Sequence, residues 1–151
     1  MSKSPQQQPS TTHSITDATI FVHCNRHQRE RLESLSSTAE VKAGYQLTKE
    51  GTTGLEFGVI VDGTAEVSVG GRKVADLGPG DHYGEVALLE RIGHHGPPVR
   101  MATVTATTDM RVAVMSVQEF NTVLVEFPDV ADAMRRAARD RAGTANAIKA
   151  D

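Results

Sequence analysis

The sequence has a single cysteine among its 151 residues, no apolar run long enough to cross a bilayer, and no excess of basic charge. Each shortage removes a class of function. One cysteine, Cys24, cannot build an internal disulfide framework or a multi-cysteine zinc site, and its lack of a partner fits a reducing compartment. No stretch approaches the roughly 18 consecutive apolar residues of a membrane helix, and the N-terminus has no charged start followed by an apolar core. A soluble, cytoplasmic protein is therefore expected. A formal net charge of -3 and a pI near 6.1 also argue against a general nucleic-acid or anionic-membrane binder, because those partners are held largely by clustered Lys and Arg. Neither partner is expected.

What is present fills one domain of ordinary size with a genuine core. Met1 to Ser14 read M-S-K-S-P-Q-Q-Q-P-S-T-T-H-S, with almost nothing to bury against the entropy cost of ordering, which predicts a disordered tail over 1–14. The folded domain is expected over 15–143 and a flexible C-terminus over 144–151.

After the tail the pattern runs helix, strands, helices. Asn25 is placed to cap R-H-Q-R-E-R-L-E-S-L, in which Leu32 and Leu35 fall three apart, with Ile20 and Phe21 ahead of it to pin the helix to the core. From Val41 to Ser116 short runs rich in Val, Ile and Thr are divided by glycines at turn-like spacing, which predicts a compact antiparallel barrel or sandwich. Asp62-Gly63 and Gly70-Gly71 are the two expected hairpin turns. Val117, Phe120, Val123 and Leu124 show helical spacing, and Pro128 is expected to stop that helix. Asp129 would then cap a last helix with Val130, Ala133, Met134, Ala137 and Ala138 on its apolar side. Arg135, Arg136, Arg139 and Arg141 would lie on the solvated side, and Gly143 would end it.

The informative segment is P-G-D-H-Y-G-E-V-A-L-L-E-R-I-G-H-H-G-P-P-V-R-M-A-T-V-T-A, Pro79 to Ala106. Gly84-Glu85-Val86-Ala87-Leu88-Leu89 followed by Arg100-Met101-Ala102-Thr103-Val104 resembles the phosphate-binding cassette of cyclic-nucleotide-binding domains, as in the catabolite activator protein and protein kinase A regulatory subunits. The resemblance extends from about Ala18 to about Ala142. It implies an α+β, mainly β fold, the jelly-roll-like antiparallel β-roll of that family with helices at both ends. It also implies cyclic AMP as ligand, no cofactor, no metal and no catalytic residue.

Each matched element has a physical reason to be there. A cyclic phosphate is a compact anion, and the exposed N–H groups from Gly84 through Ala87 at a helix start suit one. By resemblance Glu85 accepts from the ribose 2′-hydroxyl, and Arg100 forks two N–H bonds onto the phosphate, which lysine could not reproduce. Leu88 and Leu89 would be buried beneath the cassette. Met101 and Ala102 would flank the ligand, and Met134 or its neighbours on the last helix could cap the adenine. A lone Gly-Glu pair is usually a turn and a lone Arg usually solvated; the combination carries the specificity.

The sequence departs from the pattern in two places. The stretch E-R-I-G-H-H-G-P-P-V between Leu89 and Arg100 is longer than is common in the family and sits where it could move Arg100. Met101 lacks the hydroxyl that accompanies guanine recognition, which tilts the ligand toward cyclic AMP. His82, His94 and His95 raise a cupin-like metal reading, but the His-x-His pair that such ligation wants is missing. No helix-turn-helix follows the last helix, so signalling through an unknown effector protein or an oligomer, such as a homodimer through the C-terminal helix, is expected. A degenerate interaction domain that keeps the fold and has lost the ligand is the alternative.

Overall fold

The computed structural model describes residues 14–54, 56–90 and 99–150. Residues 1–13 of the tail expected over 1–14, and most of the long cassette insertion, therefore lie outside the described residues. Ser14 is the N-cap of a 3-10 turn, Ile15–Asp17, and a second such turn covers Thr19–Phe21. The first helix, α1 (Arg26–Ser34), starts as its sequence dictates: Asn25 accepts from the Gln28 backbone while the Gln28 side chain returns the bond, a reciprocal cap.

Eight strands follow among the described residues: β1 (Ser37–Val41), β2 (Gln46–Thr48), β3 (Glu56–Asp62), β4 (Ala65–Val69), β5 (Arg72–Leu77), β6 (His82–Tyr83), β7 (Thr103–Ala106) and β8 (Met110–Ser116). They form two four-stranded antiparallel sheets in the orders β1-β8-β3-β6 and β2-β7-β4-β5. Between β6 and β7 lies a short helix, α2 (Glu85–Glu90), and the chain closes with α3 (Val117–Glu126) and α4 (Pro128–Ala150).

Several local expectations are corrected. The first strand begins at Ser37, ahead of the Val41 boundary. Asp62-Gly63 does not make a hairpin, because β3 and β4 belong to different sheets. Gly63, at φ 90°, turns the chain from one sheet to the other. The true tight hairpin is at Gly70-Gly71, where Val69 faces Arg72 and both glycines have positive φ, as a type I′ turn demands. Pro128 opens α4, where its missing N–H costs nothing, so Asp129 is a first-turn residue and not the cap. Gly143 does not end the helix, which runs on to Ala150.

Strand β3 explains how the two halves of the core are joined. Its side chains alternate by the period of two that every strand has, yet Phe57 through Val61 are all buried. Phe57, Val59 and Val61 face a helix-side cluster with Phe21, Leu32, Leu88, Phe120 and Met134. Ile60 faces the roll interior with Leu77, Tyr83, Val104, Met110 and Val112. Gly58 belongs to the interior face too, where the Tyr83 ring occupies the space a Cβ would need. Phe57 is the hinge of the helix side: its ring centroid lies 5.1 Å from Phe120, 5.7 Å from His82 and 6.2 Å from Phe21. Cys24 is buried in the same cluster, and burial pushes its thiol pKa up, consistent with a packing residue.

Phe57→Ala should therefore cost about 3–5 kcal/mol of stability, the usual range for emptying a fully buried aromatic site. Urea unfolding checks it, and a loss below about 1 kcal/mol would mean that Phe57 does not join the helices to the sheet.

Candidate functional site

The site is built where β6 runs into α2. Two ladder pairs, Val59 with His82 and Gly58 with Tyr83, fix β6 against β3 and so settle which way each side chain points. Tyr83 enters the roll interior and His82 turns toward the helices. The burial of Tyr83 pushes its hydroxyl pKa up, despite the nearby Arg100 charge. Gly84 then takes φ 93°, a left-handed conformation that frees the chain to start α2. A Cβ there would stand 2.5 Å from the Glu56 carbonyl oxygen and 2.8 Å from Nη1 of Arg100. Only glycine lets these two approach.

Glu85, the first residue of α2, has no solvent exposure at all. Its carboxylate is fully engaged: Nδ1 of His82 donates to Oε1 at 2.8 Å, and Nη1 of Arg141 lies 3.0 Å from both oxygens. Because a carboxylate only accepts, Nδ1 of His82 carries the proton. The same Arg141 nitrogen donates to the His82 carbonyl at 2.7 Å. Burial alone would push the Glu85 carboxyl up, but the His82 hydrogen bond and the His82 and Arg141 charges outweigh it and hold it below its usual value.

Arg100 reaches the same region from the far side of the insertion. It is 6% exposed, and among the described residues its donors go to two backbone carbonyls: Nη2 to Glu56 at 3.1 Å and Nη1 to Gly84 at 3.4 Å. No described carboxylate forms an ion pair with it. Burial lowers its pKa against the opposing pull of Glu56, Tyr83 and Glu85, but a guanidinium remains charged. Among the described residues this buried cation is held by neutral oxygens.

Between these charges and the second sheet lies a cavity of about 290 Å³. One end is polar, with Gly84, Glu85 and Arg100, and the opposite wall is apolar, with Val67, Val69, Val74 and Leu77 from β4 and β5. Val86, Met101 and Ala102 line it as well, and Ala87 sits one residue further along α2. Leu88 and Leu89 are buried under the helix in the helix-side core. Met134 does not reach the cavity: it is fully buried in that core, and the residues of α4 that line the cavity are Asp140 and Arg141.

Sequence reasoning does not bring His82 and Arg141 to the Glu85 carboxylate: it puts Arg141 on a solvated face and offers His82 only as a metal ligand. Arg141 lies seven residues after Met134 and three after Ala138, both buried, which places it beside the apolar stripe and was the available signal. His82 is committed to Glu85, and among the described residues no three His, Cys, Asp or Glu side chains gather as a metal-holding group. His94 and His95 are outside the described residues.

A sequence model described as "Cyclic nucleotide-binding domain" matches residues 38–127. The chain belongs to this family. The domain is 32% identical over 133 residues to the cAMP-dependent protein kinase regulatory subunit of Schizosaccharomyces pombe, a match covering 87% of this chain and 30% of that protein. It spans between 21% and 30% of three fungal regulatory subunits of that kinase. In three dimensions it matches a structure described as Sp-2Cl-cAMPS bound to PKAR CBD2, with TM-score 0.76, 22% identity and coverage of 89% of this chain and 86% of that one. The catabolite activator protein of Thermus thermophilus follows the same fold, with TM-score 0.70, 20% identity and coverage of 84% and 59%. The mainly β fold with flanking helices is thus the family's β-roll. No described helix is long and apolar enough to cross a membrane.

The depressed carboxyl of Glu85 gives a pH dependence of definite sign. Its contribution to stability is present in full above its ordinary pKa of 4.5 and is lost as pH falls through the lower folded value. Urea midpoints measured from about pH 6 down to about pH 3 should therefore fall more steeply for wild type than for Glu85→Gln. Parallel curves would contradict the assignment.

Proposed function

We propose that this domain is a cyclic AMP sensor with no catalytic activity of its own, which signals through a partner protein or an oligomer. The observation that carries the reading is Arg100, a buried guanidinium whose partners among the described residues are carbonyls, lining a cavity that also has the apolar side chains of β4 and β5 in its wall. That combination suits a ligand with a compact anion at one end and a flat heterocycle at the other. Arg100 takes the cyclic phosphate together with the N–H groups of Gly84 through Ala87, and Glu85 takes the ribose 2′-hydroxyl. The base lies between the valines of β4 and β5 and the side chains of Met101 and Ala102. Met101 offers no hydroxyl to guanine, which favours adenine.

Arg141 supplies the output. It anchors α4 to the carboxylate that the ribose needs, so a ligand that engages Glu85 changes the hold on α4. A ligand shifts such an equilibrium only through different affinities for the two states, and the Glu85–Arg141 contact is where that difference arises. Met134 then acts by packing α4 and not by capping the base. The ordinary setting for this chemistry is the cytoplasm, where an effector protein would meet α4.

Isothermal titration with cyclic AMP, with cyclic GMP and AMP as controls, tests the reading. Saturable binding, tightest for cyclic AMP, is the expected outcome; no heat with any nucleotide in folded, ligand-free protein would leave a domain of this fold devoted to protein contacts. Arg100→Ala should weaken cyclic AMP binding by about 30-fold or more, as expected for removing one side of a buried charge pair. Arg100→Lys should fall between, because an ammonium cannot form the fork. An Ala variant that binds like wild type would remove Arg100 from the site.

A further inference from the structure

The two groups that hold Glu85 are not equivalent in their freedom to move. Arg141 extends from α4 and its side chain is 38% exposed, so it can leave the carboxylate when something else arrives. His82 cannot. Its side chain is 9% exposed, its backbone is paired to Val59, and its ring packs on Phe57 at 5.7 Å. It also touches one carboxylate oxygen and not the other: Nδ1 donates to Oε1 at 2.8 Å, whereas Arg141 spans both. A fixed donor on one oxygen sets the rotation of the carboxylate plane and stabilises its ionised form at a site without solvent.

We propose that His82 is a positioning residue for ribose recognition: its Nδ1–H fixes Oε1 of Glu85, so that the carboxylate stays ionised and oriented toward the ligand 2′-hydroxyl when Arg141 withdraws. His82 thereby sets the preference for ribo- over 2′-deoxynucleotides. This deepens the cyclic AMP reading and rests on it. A site built to bond a hydroxyl rejects the ligand lacking it only while its own polar group is held ready, and His82 is what holds it.

The test compares cyclic AMP with 2′-deoxy cyclic AMP by titration on wild type, His82→Leu and His82→Asn. Asparagine places an N–H donor where Nδ1 stands, and leucine fills the space without one. Since a hydrogen bond to a charged group is worth roughly a factor of ten or more, the affinity ratio should fall about tenfold in His82→Leu. The fall should be confined to cyclic AMP, with affinity for the deoxy ligand nearly unchanged, and His82→Asn should keep most of the wild-type ratio. If His82→Leu fails to fold by circular dichroism, His82→Ser, whose hydroxyl is too short to reach Oε1, takes its place against His82→Asn. Equal weakening of both ligands, or an unchanged ratio in a folded variant, overturns the inference while leaving the cyclic AMP reading intact. Wild type that binds neither ligand overturns both.

Discussion

The Glu85 carboxylate ties together three elements that are far apart in the chain. It sits at the first residue of α2, accepts from His82 on β6 and is grasped by Arg141 on α4. A fully buried carboxylate is costly to leave unsatisfied, by about 1–3 kcal/mol or more for a charged group, so each element is obliged to supply its donor. That obligation ties the start of α2 to α4 at Arg141. The site and the packing of the C-terminal helix are consequently one arrangement, and the part of Arg141 that remains exposed makes its share the weaker of the two.

Around this contact the sheets do complementary work. Strand β3 is buried on both faces, carrying the helix-side core on one and the roll interior on the other. Its ladder with β6 fixes His82 and Tyr83 on opposite sides, while its first residue, Glu56, offers a carbonyl to Arg100. The second sheet supplies the apolar wall. A polar end and an apolar wall facing each other across about 290 Å³ follow from having two sheets with a short helix wedged at one edge. The bend at Gly63 that sends β4 into the second sheet is thus part of the site, although it touches no charge in it.

The two guanidinium cations of the site, Arg100 buried and Arg141 partly exposed, have different partners. Arg141 is neutralised by Glu85, whereas Arg100 meets only carbonyl dipoles among the described residues. In the proposed reading, an anion at Arg100 forms a new ion pair, whereas a hydroxyl at Glu85 shares or displaces Arg141, the contact that connects the carboxylate to α4. Tyr83, packed against Gly58, lines the same cavity.

Much of this was legible in the chain. The capping pair Asn25 and Gln28, the spacing of Val117 through Leu124, the Gly70-Gly71 turn and the run Gly84-Glu85 followed by Arg100 are local signals, set by dihedral preference, periodicity and the chemistry of one or two side chains. They determined the element types, the family and the two principal ligand-contact candidates. What local signals could not decide was which strands share a sheet, so Asp62-Gly63 read as a hairpin when it is a crossing between sheets. Nor could they show that Arg141 and His82 converge on Glu85. Arg141 stands 56 residues from the carboxylate it holds, and an arginine beside an apolar stripe looks solvated until the helix has docked. Met134 was placed at the base for the same reason: one helical face can point to a core or to a ligand, and only the packing of α4 on the sheet chooses between them. Pairings between distant residues depend on the whole chain burying its apolar surface at once, and that is settled by the tertiary structure alone.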